Sequence, residues 1–82
     1  MSAIQSAKGG KAHDPRYKDL IDKLVQARKE KGLSQEGLAK TLGRHQQFVS
    51  RYETGERRLD VVEFVDIART LDVSMKVLDA IS

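Results

Sequence analysis

The 82-residue chain carries 15 Lys/Arg against 12 Asp/Glu, a net charge of +3, with 39% hydrophobic residues and no cysteine. That length holds one small domain, the missing thiols exclude disulfides and Cys-ligated zinc, and no apolar run is long enough to cross a membrane. The two histidines, His13 and His45, stand far apart with no ligand cluster around them, so no metal, cofactor or catalytic dyad is expected. No apolar stretch follows Met1, which predicts a cytoplasmic protein without a secretory signal. Charge is polarised along the chain: residues 15–33 are net +3, 34–58 net +2 and 59–82 net −3. A basic front and an acidic tail suit a polyanion meeting one face, although charge alone fits an ordinary solvated surface equally well.

Residues 1–13 have no sustained periodicity and read as a flexible, disordered arm, with residues 14–82 as the folded domain. Asp14–Pro15 predicts a helix start, with Asp as N-cap and Pro at the first helical position. Tyr17, Leu20, Ile21, Leu24 and Val25 follow at helical spacing, and Gly32 stops the helix. Ser34 caps a second helix running to about Leu42, with Leu38, Ala39 and Leu42 inward and Gly37 as a weak point. Gly43 turns the chain into a third helix from about Gln46 to Glu53, whose apolar side is Phe48, Val49 and Tyr52. Two short helices joined by a tight glycine turn make a helix-turn-helix unit. Asp60 and Glu63 form a capping box for a fourth helix, stapled by Leu59 and Phe64. Val61, Val62, Phe64, Val65, Ala68 and Leu71 are expected to bury it. Ser74 opens a fifth, with Met75, Val77, Leu78 and Ile81. The expected fold is all-α, five helices and an arm.

The stretch LSQEGLAKTLGRHQQFVSRYETGERRL resembles the DNA-binding domain of the lambdoid phage repressor and Cro family, the XRE-type helix-turn-helix. The resemblance spans about Tyr17 to Leu78 and rests on Leu33-Ser34-Gln35, Leu38-Ala39, Gly43, Val49-Ser50, and Glu53 with Gly55. It departs from the pattern at Arg44, where a small apolar turn residue is usual, at Gly37, and at Leu59, where proline often occurs. Arg44 would then have to send its side chain to solvent or DNA.

Burying Phe48, Val49 and Tyr52 leaves Arg44, His45, Gln46, Gln47, Ser50 and Arg51 on the outer side of the third helix. A major groove admits one helix, and residues near its N-terminus reach base edges. Gln46 and Gln47 are the leading base readers, since a glutamine amide matches adenine N6 and N7. The resemblance implies the same role. Ser50 and Arg51 come one turn later, Arg51 suiting guanine or a phosphate about equally. Gln35 sits at a helix N-terminus, where an anion is favoured. The resemblance implies a phosphate contact there, with Gln35 also able to brace Gln46. Arg57 and Arg58 are expected on phosphates, with Lys40 and Arg44 as further backbone contacts. The resemblance also implies a structural ion pair between Arg28 and Glu53. His45 can meet a phosphate or a thymine, or simply cap the helix poorly.

The expected function is sequence-specific double-stranded DNA binding by a transcriptional regulator, foremost a repressor on a palindromic operator. The resemblance implies a bacterial or phage origin and a homodimer, and the acidic charge of the C-terminal helices, which discourages DNA contact, makes them the expected dimer surface. Val77, Leu78 and Ile81 are candidate dimer residues that serve equally well as monomer core. No small-molecule ligand or membrane partner is expected. Antitoxins and restriction–modification controllers of this family use the same DNA-binding parts and stay open as alternatives. So does a protein-interaction module that reads no DNA, although an acidic or apolar third helix would suit that better.

Overall fold

The computed structural model describes residues 14–81, with side chains through Asp79. Among these residues there are four α-helices, α1 (Pro15–Glu30), α2 (Gln35–Leu42), α3 (Gln46–Thr54) and α4 (Val61–Thr70), then a 3-10 segment (Met75–Ile81), and no strand. The expected arm, with Lys8, Lys11 and His13, lies outside the described residues.

Local chemistry sets each boundary. The Asp14 carboxylate accepts from the Arg16 N–H at 2.9 Å and from its guanidinium, which holds the acid at about 2, well below its ordinary value. At the far end of α1, Gly32 takes φ +76°. The Gly32 and Leu33 amides then donate back to Lys29 and Arg28, closing a Schellman turn. Ser34 Oγ accepts from the Gly37 N–H at 2.9 Å to start α2. α4 has the full capping box: Asp60 accepts from the Glu63 N–H at 2.7 Å, and Glu63 accepts from the Asp60 N–H at 3.0 Å. α4 ends with Asp72 at φ +59°, a left-handed position that aspartate tolerates better than most residues.

One core joins the four helices. Leu20, Ile21 and Leu24 from α1 meet Leu38 and Ala39 from α2, Phe48, Val49 and Tyr52 from α3, and Phe64, Ile67 and Ala68 from α4, with Leu71 closing it. Each large apolar side chain fully buried here contributes about 1.5–3 kcal/mol. α2 packs most extensively on α3, and the 3-10 segment packs on α1.

The structure corrects the expected C-terminal third in two places. Val61 and Val62 are 77% and 68% exposed, whereas Ile67 is buried. At 100° per residue, Phe64, Ile67, Ala68 and Leu71 share one face, and Val62 points to the opposite side. Val61 is in phase with the buried face but stands in the first turn, beyond the end of the core. The fifth α-helix is instead a 3-10 segment, entered by an i→i+3 bond from the Val77 N–H to the Ser74 carbonyl at 3.0 Å.

Candidate nucleic-acid interface

The two short helices meet at Gly43, which adopts φ +71°. An L side chain strains there, and the tight reversal depends on that conformation. The Arg44 N–H returns to the Ala39 carbonyl at 2.9 Å, so the turn is locked by backbone bonds before any side chain contributes. With Phe48, Val49 and Tyr52 buried, the outward face of α3 presents Gln46, Gln47 and Arg51, all exposed, and Ser50, half-buried. With its side chains α3 is about 10–12 Å across, a rod that fits a groove about 12 Å wide. His45, at the N-cap, is exposed and extended (φ −74°, ψ 150°), and its side chain makes no capping hydrogen bond.

The pose of α3 is held from behind by a buried ionic knot. Arg28 Nε donates to Glu53 Oε2 at 2.7 Å, and a second guanidinium nitrogen donates to Oε1 at 3.1 Å. The third reaches the Leu33 carbonyl at 2.8 Å. The two side chains are only 10% and 7% exposed. Glu53 pushes the guanidinium above its ordinary value, so Arg28 stays charged. Gln35 joins the knot, its amide donating to Glu53 Oε1 at 2.9 Å. The Gln35 amide N–H thus goes to a carboxylate, a stronger acceptor than the neutral Gln46 amide that it was expected to brace. α1, the turn into α2, the start of α2 and the last turn of α3 are thereby tied at one point.

The cations expected on phosphates do not hang free. Arg57 grips Glu63 with both arms of its fork, at 2.8 and 2.9 Å, and Arg44 approaches the same carboxylate at 3.5 Å. Their guanidinium carbons stand 5.1 and 3.9 Å from the centre of the Phe48 ring. Arg44 therefore lies across the protein surface rather than projecting from it. Arg57 holds the Glu63 carboxyl at about 2, far below the usual carboxylate range. Arg58 stacks on Tyr17 at 4.5 Å, and Arg51 Nε stands 3.6 Å from Glu56 Oε1. Lys40 is exposed in the last turn of α2. Sequence reasoning missed Glu63 as an ionic hub. Its capping position was legible, but nothing local links residues 44, 57 and 63.

Two further features complete the site. The Tyr52 hydroxyl is buried without a hydrogen-bond partner among the described residues, and burial pushes the phenol well above its ordinary value. The Leu59 N–H donates to Tyr17 Oη at 3.1 Å, tying the loop before α4 to α1. Among the described residues no group of three or more His, Cys, Asp or Glu could hold a metal ion, and no helix is long and apolar enough to cross a membrane.

No curated protein and no solved structure matches the chain. A helix-turn-helix family model matches residues 24–78, from the middle of α1 into the 3-10 segment. The match therefore takes in the glycine turn, the outward face of α3 and the ionic knot behind it. On that span the chain belongs to the XRE-type helix-turn-helix family, the Cro/C1-type group of DNA-binding regulatory domains.

Proposed function

We propose that this protein is a sequence-specific double-stranded DNA-binding regulator that lays α3 in the major groove and acts as a repressor. The observation that carries the reading is the outward face of α3. It offers two adjacent amides, a hydroxyl and a guanidinium, with no carboxylate and no large apolar group. A partner protein would ask for apolar anchors there, whereas base edges ask for paired donors and acceptors.

In this reading Gln46 and Gln47 pair with base edges, adenine foremost, with Ser50 and Arg51 reading one turn further along. Arg44, Arg57, Arg58 and Lys40 meet phosphates on either side of the groove. Gln35 contributes through its backbone N–H at the start of α2, since its side-chain amide is engaged by Glu53. Arg28 and Glu53 hold the reading helix in place. The protein pairs with a second copy through the acidic C-terminal third, where Met75, Leu78, Val61 and Val62 are exposed. Half-sites then lie about 10–10.5 bp apart.

Selection from a random duplex library tests this, followed by salt-titrated binding of the selected sequence. The expected winner is a palindrome bound at least about 10³-fold tighter than bulk DNA. Weak binding that ignores sequence and vanishes by physiological salt would overturn the reading. Sedimentation on that duplex should give two chains per site.

A further inference from the structure

Arg44 and Phe48 form a wall between two surface hollows. On one side lie Glu63 and Asp66, together with the edge of α4. The other is an open hollow of about 210 Å³ lined by Arg44, His45, Gln47, Phe48, Arg51 and Arg57, with no carboxylate in its lining. Three arginines thus line this hollow beside α3, while Glu63, which two of them contact, is outside its lining.

Glu63 is itself held in place. Its side chain is 12% exposed, it accepts the Asp60 N–H in the capping box, and it takes both arms of the Arg57 fork. Arg44 and Arg57 keep about two-fifths of their side-chain surface open to solvent and lie over the Phe48 ring. A guanidinium carries five N–H donors: Arg57 gives two to Glu63 and one to the Arg58 carbonyl at 3.2 Å, which leaves it two, and Arg44 approaches Glu63 only at 3.5 Å. Long arginine side chains lose rotamer freedom when a ligand fixes them; Arg57 is already held by its fork on Glu63, and Arg44 more loosely by the Phe48 ring and the 3.5 Å contact. Glu56, which pairs with Arg51, does not line the hollow.

We propose that this hollow is a ready-made receptor for one phosphate group, and that Glu63 is its positioning residue, holding Arg44 and Arg57 over Phe48 from behind. The inference deepens the DNA-binding reading and rests on it for the source of the phosphate, a phosphodiester at the edge of the major groove. The chemistry of the hollow also suits a free phosphate.

Glu63→Gln separates positioning from simple charge. Glutamine at this place still serves the capping box, so α4 keeps its start, and a thermal melt checks the fold. The change adds one unit of positive charge, so electrostatics alone says that it tightens duplex binding and steepens the salt dependence. Positioning says the reverse: binding to the selected duplex weakens about 2- to 10-fold, the range set by freeing one or two long side chains. In parallel, inorganic phosphate is titrated into the wild-type protein and Glu63→Gln, with the Arg44 and Arg57 Nε–H signals followed by NMR. Saturable shifts in the wild type, lost or weakened in the variant, are the expected result. Equal or tighter duplex binding by Glu63→Gln would overturn the proposal while leaving DNA reading intact. If the wild type binds no duplex, the functional reading fails, and the phosphate titration alone decides the receptor. Shifts that depend on Glu63 then sustain it for a free phosphate, and their absence ends it.

Discussion

Replacing Arg28 with alanine should be among the most damaging single changes open to this fold. The guanidinium gives two N–H groups to Glu53 and one to the Leu33 carbonyl, in a place where both charged side chains are about nine-tenths buried. Removing one partner of such a pair costs about 3–5 kcal/mol, because the other charge stays behind without its counterion. Gln35 still donates to Glu53 at 2.9 Å, which places the loss at the lower end, about 3 kcal/mol. A domain of this size has roughly 3–10 kcal/mol in total, so the change removes a large fraction of it. The melting temperature should fall by about 12–24 °C. Urea denaturation followed by circular dichroism measures this directly. The informative partner is Arg28→Met with Glu53→Leu, which removes both charges and leaves the half-buried Gln35 amide and Leu33 carbonyl to turn to water. That double variant should recover most of the loss, ending within about 1 kcal/mol of the wild type or above it. A loss below about 1 kcal/mol for Arg28→Ala, or a double variant as unstable as the two single ones summed, would refute the account of the knot.

Gln46→Ala and Gln47→Ala should each cost about 1–3 kcal/mol on the selected duplex and relax base choice locally. Equal weakening on selected and scrambled duplexes, followed by fluorescence anisotropy, would remove them as base readers. Arg58→Ala should weaken all duplexes alike and lower the slope of log K against log salt by about one. A sequence-dependent loss would assign it to a base instead. Tyr52→Phe removes a buried hydroxyl that has no hydrogen-bond partner among the described residues and should stabilise by about 1 kcal/mol in urea, whereas a clear destabilisation would reveal a bond to that hydroxyl. The Glu63 carboxyl moves from its ordinary 4.5 to about 2 on folding, so its contribution is complete above pH 4.5 and is lost as pH falls toward 2. Glu63→Gln should flatten that acid limb of the stability curve, leaving the part due to Asp14, which titrates in the same window. An unchanged limb would mean that the Arg57 pairing does not persist in solution.

Much of this fold was legible because its signals are local. Asp14, Ser34 and the Asp60–Glu63 box cap helices within three residues, and the glycines at 32, 43 and 55 all take positive φ where the helices end. The buried sides of α1, α2 and α3 follow from helical phase. The same logic applied to α4 would have found Ile67, in step with Phe64 and Leu71, and would have rejected Val62. Apolar character outweighed phase there. Side-chain partnerships across the fold were not legible. Arg44 and Glu63 are 19 positions apart, and only the packing of α2 and α3 on α4 brings them together. Gln35 likewise found Glu53 because the turn of α3 carries that carboxylate over the start of α2. Helix period predicts which residues face inward, but not which polar groups meet once they do.

Leu59 makes use of what a proline at its place would lack. Its N–H is given to the Tyr17 hydroxyl, while the neighbouring Arg58 lies across the same ring. A proline at 59 would leave that hydroxyl without its donor, and a phenylalanine at 17 would leave the Leu59 N–H without its acceptor. The two positions are therefore energetically coupled, and a substitution at either changes what a substitution at the other costs.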